Sequence, residues 1–149
     1  MWNRLIATKG DWTATVLRLT LGAVMLPHGA QKPLGWFGGF GLSGTMGFFT
    51  ETMGMPAILA FAVIVVEFFS ALALIVGAGS RLAALGIGAI MIGSVATVHA
   101  PNGFFMNWMG SQAGEGFEYH LLAFAIALAV FIKGSGALSV DRQLERATA

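Results

Sequence analysis

Apolar residues dominate four stretches of the chain, near residues 12–31, 56–76, 82–100 and 117–132. None alternates apolar and polar with period two, as a membrane β-barrel strand does. A bilayer core of ~30 Å takes about 20 mostly apolar residues in a helix, and backbone facing lipid must satisfy its hydrogen bonds within the segment. The pattern predicts four transmembrane helices. The second and third stretches are almost unbroken. The first carries Arg18 and ends in LPHGAQK, and the fourth reaches span length only by admitting Glu118 and His120. The expected fold class is an all-α membrane protein: one transmembrane domain over 1–149, a four-helix bundle with a polar tail at 133–149 that forms a short amphipathic end around 140–144.

Composition agrees. The chain is 56% hydrophobic and 10% charged, against about 25% charged in soluble domains. A net charge of +1 gives no basic excess for nucleic acid. With no cysteine, a disulfide framework, a CxxC redox pair and a thiolate metal site are excluded. Arg4 and Lys9 precede the first apolar run in the manner of a secretory signal, but Arg18 interrupts that run and no A-x-A-like site follows, so a retained span is expected.

Drawn as four spans, Arg4, Lys9, Arg81, Lys133, Arg142 and Arg146 fall on one side and only Lys32 on the other. The positive-inside rule then makes both termini cytoplasmic. The two long connections, 32–55 and 101–116, are outer loops rich in glycine and aromatics. Within the first, 44–53 suits a short helix with Met46, Phe49 and Met53 on one face, while Trp36 and Phe37 suit the interface. These loops are read as a lid over the outer end or as interfacial anchors. In the third span the pairs Ala84/Gly88 and Ala89/Gly93 have the small-xxx-small spacing that lets helices approach closely.

Charge inside a membrane is costly, at least ~2.5–3.5 kcal/mol per group at the centre. Arg18 lies ten residues before His28 and Glu67 eleven into the second span, depths of ~15 and ~16 Å at the helical rise. An Arg18–Glu67 ion pair is therefore expected. Toward the outer end lie His28, Gln31, Lys32, His99, Glu118 and His120. Arg18, Met25 and Lys32 recur every seven residues with His28 on the same broad face, a polar stripe topped by LPHGAQK, where Pro27 bends the helix and Gly29 admits a close neighbour. His28, His99, His120 and Glu118 include ligand types suited to zinc, copper or iron. No HxxxH or HxxEH spacing occurs, and each ligand would come from a different segment, so hydrogen-bonding roles take precedence over metal or haem ligation. There is no G-x-S-x-G motif, and GWFGGFG follows no strand and precedes no GK[ST].

The order of these features resembles the DoxX family of small bacterial membrane proteins. The resemblance is carried by LRLTLGAVMLPHGAQKPLGWFGGFGLSGTMGFF, by GMPAILAFAVIVVEFFSALALIVGAGSRLAAL, and by TVHAPNGFF with GFEYHLLAFAIALAV, together covering roughly residues 15–143. It implies a multi-pass protein of the bacterial inner membrane. Some relatives are subunits of thiosulfate:quinone oxidoreductases and others are linked to thiol-redox balance or quinone stress. The positions matching its recurrent polar residues are Arg18, His28, Lys32, Glu67, His99 and Glu118. Two readings follow. One is a quinone-linked redox protein or membrane subunit of an oxidoreductase, with His28, His99 and Glu118 as proton carriers and Arg18, Lys32, Glu67 and His120 binding substrate. The other is a small-solute permease or scaffold subunit without catalysis. In either, the bilayer is the first partner, and a partner subunit or a homo-oligomer is a further one.

Overall fold

The computed structural model describes residues 6–148, which are helical and loop throughout, with no strand. Arg4 lies outside the described residues. The helices are α1 (Trp12–Leu34), α2 (Gly41–Gly47, continued by a π-helical turn at Phe48–Thr52), α3 (Ala57–Val76), α4 (Ser80–Ser94, continued through a π-helical turn at Val95–His99 to Asn102), α5 (Glu118–Lys133) and α6 (Val140–Thr148). Two of them, Ala57–Val76 and Ser80–Asn102, are long and apolar enough to cross a membrane. α1 contains Arg18 and Lys32, and α5 has only 16 residues. The helix inferred at 44–53 is α2, and the amphipathic end expected at 140–144 is the start of α6.

α1 packs against α3 and α5, and α4 packs against both as well, so the four longest helices close a ring. The apolar core inside it is built from Leu21, Met25, Leu74, Ile87, Ala127 and Val130, among others. Glycine sets the closest contact. A Cβ at Gly29 would stand 2.9 Å from Phe68 Cα and 3.1 Å from Glu67 O, and one at Gly22 would stand 3.1 Å from Ile75 N. These two glycines, seven residues apart on one face, let α1 lie against α3 with backbones touching. Gly29→Ala is expected to force the pair apart and cost about 1–3 kcal/mol, typical of overpacking. An unchanged unfolding midpoint in detergent would contradict that contact. The small residues of α4 divide: Ala84 and Gly88 are buried, whereas Ala89 and Gly93 are exposed and nothing stands within 4 Å of a Cβ at Gly93.

One end of the ring carries both ends of the described chain, residues 6–11 and α6, and is tied by polar groups. Arg18 is fully buried. Its guanidinium donates to Leu74 O, to Ile75 O at 2.7 Å, to Ser135 O at 2.9 Å and to Leu138 O at 2.5 Å. The first two are carbonyls left unpaired at the C-terminus of α3, where the helix dipole also favours a cation. Arg81 does the same for α5, donating to Phe131 O and to Ile132 O at 2.8 Å. Asp141, buried at the start of α6, accepts from Gly79 N and Ser80 N at 2.8 and 3.2 Å and from Ser135 Oγ. Asp11 caps α1 by accepting from Thr13 N and pairs with Lys133 Nζ at 2.8 Å. The bond from Lys133, and then that from Thr13, holds its carboxyl below the usual carboxylate range. A depressed carboxylate stabilises the fold above its unfolded value and stops doing so on acidification below about pH 4.

The expected Arg18–Glu67 ion pair does not form. Glu67 instead pairs with Lys32, Nζ to Oε1 2.7 Å. The depth argument treated the ends of the two helices as level, and they are staggered. Gly29 sits opposite Glu67 and Phe68, five residues of α1 lie beyond it, yet ten residues of α3 precede Glu67. Helical side chains also lean toward their own N-terminus. Lys32 therefore reaches down to Glu67, and Arg18 reaches down to the end of α3.

Candidate functional site

At the other end of the ring, α1, α3, α4 and α5 each send polar side chains toward one cavity of about 1150 Å³. α1 contributes Met25, His28 and Lys32, and α3 contributes Glu67. α4 contributes Ser94 and, at the end of its π-helical turn, His99. α5 contributes Tyr119 and His120. α1 runs unbroken through Pro27 and Pro33 to Leu34, which carries Lys32 to the level of the acid. The π-helical turn inserts one residue into the regular repeat, a feature common at functional sites.

The Glu67 side chain is 4% exposed and that of Lys32 23%, so the ion pair sits at the cavity wall with the acid as its more buried partner. His28 and Tyr119 face each other with ring centroids 6.2 Å apart. Tyr119 and His120 are 5.5 Å apart edge to face, and His99 and His120 lie 4.0 Å apart. The three imidazoles, the phenol and the ion pair form one connected cluster. Its hydrogen bonding is incomplete. His99 Nδ1 donates to Glu115 O at 2.8 Å, and its Nε2 has no hydrogen-bond partner among the described residues. Ser94 Oγ lies 3.4 Å from His120 Nε2, and His120 Nδ1 is buried with no partner among the described residues. The Tyr119 hydroxyl donates to the Met25 thioether at 3.6 Å, a weak acceptor for a strong donor. Buried polar groups are normally well paired, so these are the atoms with capacity to meet a ligand.

A lid closes the loop end. Thr45 on α2 donates to Lys32 O at 3.2 Å, and Phe49 and Met53 line the cavity from the same segment. The second connection is held by carboxylates. Glu118 accepts from Met106 N at 2.9 Å and from Trp108 Nε1 at 3.3 Å, and Glu115 accepts from Asn107 N at 2.6 Å.

The structure thus brings together His28, Lys32, Glu67, His99 and His120 from the residues singled out in the sequence. Two of that set lie elsewhere. Arg18 is buried at the termini end and touches no part of the cavity, because all its observed bonds go to carbonyls there. Glu118 does not line the cavity either; its carboxylate is spent on the loop. Tyr119 was missed by the sequence reading. Its signal was modest: it is the one tyrosine in a chain with 12 phenylalanines, next to His120. Among the described residues no three of His, Asp and Glu form a group that could hold a metal ion.

Comparison with the curated proteins and with the solved structures gives no match. The DoxX family model matches residues 13–100, from the start of α1 nearly to the end of α4. That span includes Met25, His28, Lys32, Glu67, Ser94 and His99 and leaves Tyr119 and His120 beyond it. Covering more than half of the chain, it shows that this protein belongs to the DoxX family of membrane proteins.

Proposed function

We propose that this chain spans the bacterial inner membrane four times, with both termini cytoplasmic and the lid outward, and binds a quinone in the loop-end cavity as the membrane subunit of an oxidoreductase system. The observation that carries this reading is the cavity itself: an apolar space whose loop half gathers three imidazoles, a phenol and a lysine–glutamate pair. A quinone needs apolar walls and a few donors at its carbonyl oxygens. Reduction to the quinol takes two electrons and two protons. Without cysteine the chain has no thiol to supply electrons, so they come from a partner subunit or a second substrate. The chain supplies the protons and the orientation. Tyr119 donates to one quinone oxygen, the His99–His120 pair hands one proton to that oxygen from the lid side, and His28 hands the second proton to the other quinone oxygen. Lys32, the more exposed partner of its ion pair, favours an anionic reduced head.

The test is an equilibrium titration of the detergent-solubilised protein with a short-tailed benzoquinone. Saturable binding is expected. Tyr119→Phe, which removes only the hydroxyl, should weaken it about 3- to 10-fold, the value of one hydrogen bond, without moving the unfolding midpoint. No saturable binding by the folded protein would overturn the quinone reading.

A further inference from the structure

Chemistry occupies only half of the cavity. From Glu67 toward the termini end its walls are Ala73, Ala83, Leu82, Leu85 and Gly86, with Ser70 as the one polar side chain, and it runs as far as Gly79 in the α3–α4 turn. From Glu67 to the end of α3 at Val76 is nine helical steps, so this half extends ~14 Å at 1.5 Å per residue. The total of about 1150 Å³ exceeds the roughly 300–1,000 Å³ of ordinary small-molecule sites, and a ring-sized head fills only part of it.

The apolar half opens sideways. Phe69 on α3, and Leu82 and Leu85 on α4, line it yet keep 59, 50 and 54% of their surface exposed. The opposite side of the ring is shut: α1 lies on α3 with glycine backbones in contact, and Arg18 ties the end of α3 to the 134–139 segment. On α4, Ala89 and Gly93 leave the crevice unfilled beside the polar half. We infer that the cavity takes a long-tailed, membrane-resident ligand, whose head lies among Lys32, Glu67, Tyr119 and His120 and whose tail lies in the α3–α4 crevice, reached sideways from the bilayer. This rests on the quinone reading for the head and adds the tail, the route and the class: a polyprenyl-type quinone rather than a water-soluble one.

Because lipid is as apolar as the crevice, affinity alone discriminates weakly between tail lengths, and the location of the tail is the sharper readout. The full-length protein in vesicles is photolabelled with two probes: a benzoquinone with a long alkyl tail ending in a diazirine, and a fatty acid with the same terminal diazirine. The quinone probe is expected to concentrate its adducts on Ala73, Leu82 and Leu85, and excess short-tailed benzoquinone should reduce them at least 5-fold. The fatty acid should spread over lipid-facing residues such as Ile58, Leu122 and Ile132, indifferent to the competitor. If both probes label the same residues while the short-tailed quinone still binds in titration, the tail placement is wrong and the head site stands. If the short-tailed quinone does not bind at all, the head site falls and the tail with it.

Discussion

Replacing Lys32 by methionine is expected to destabilise the protein by about 3–5 kcal/mol, because it strands a carboxylate in an apolar wall. Glu67 has Lys32 Nζ at 2.7 Å, and its side chain is 4% exposed. The loss belongs toward the low end of that range, since Lys32 keeps 23% of its own side chain exposed. Removing both charges tells more. An apolar replacement of a buried ion pair is often neutral or stabilising, so Lys32→Met with Glu67→Leu should recover most of what Lys32→Met alone loses. The readout is thermal unfolding in detergent, with membrane yield as a check. A double variant that loses the sum of the two single losses would show that the pair does not exist.

Arg18→Met is the second large effect. One planar guanidinium satisfies four carbonyls on two segments, the end of α3 and the loop that follows α5. Hydrogen bonds to a charged donor are worth about 1.5–3 kcal/mol each, and bonds that share a donor are far from additive. A loss on the order of 3–5 kcal/mol is expected, accompanied by undocking of the 134–139 segment and α6. Arg18→Lys should restore only part of it, since a single ammonium cannot serve both segments at once. Combining Arg18→Met with Glu67→Leu should give losses that add within about 0.5 kcal/mol, as for separate sites. Mutual rescue would instead restore the ion pair that the sequence suggested and the structure does not contain. Quinone binding should survive Arg18→Lys, because Arg18 does not reach the cavity.

The helices were legible in the sequence because they rest on long apolar runs bounded by glycine and proline. α3 and α4 lie within a few residues of the stretches inferred at 56–76 and 82–100, and α2 lies close to the short helix read from 44–53. Gly29 as a close-contact residue was also legible, since a glycine on a polar stripe has few other uses. The pairing of charges was not. Counting residues from each helix end gives a depth only if the ends are level, and α3 starts well beyond the end of α1. The direction in which side chains lean then decides which cation meets Glu67. Glu118 illustrates a second difficulty. A carboxylate at a helix start reads equally well as a cavity group or as a loop anchor, and only the positions of Met106 N and Trp108 Nε1 distinguish the two. The meeting of Tyr119 with His28 and the close, tilted contact of His99 with His120 depend on how α5 faces α1 and α4, which no local pattern encodes.

The central claim is that the loop-end cavity holds a quinone, and native mass spectrometry of the protein extracted in mild detergent from its own membrane tests it most directly. The account predicts a retained mass matching a polyprenyl quinone, diminished in Tyr119→Phe and in His120→Ala and kept in Arg18→Lys. A bare protein mass under conditions that preserve other bound lipids, or a quinone retained equally by all three variants, would contradict it.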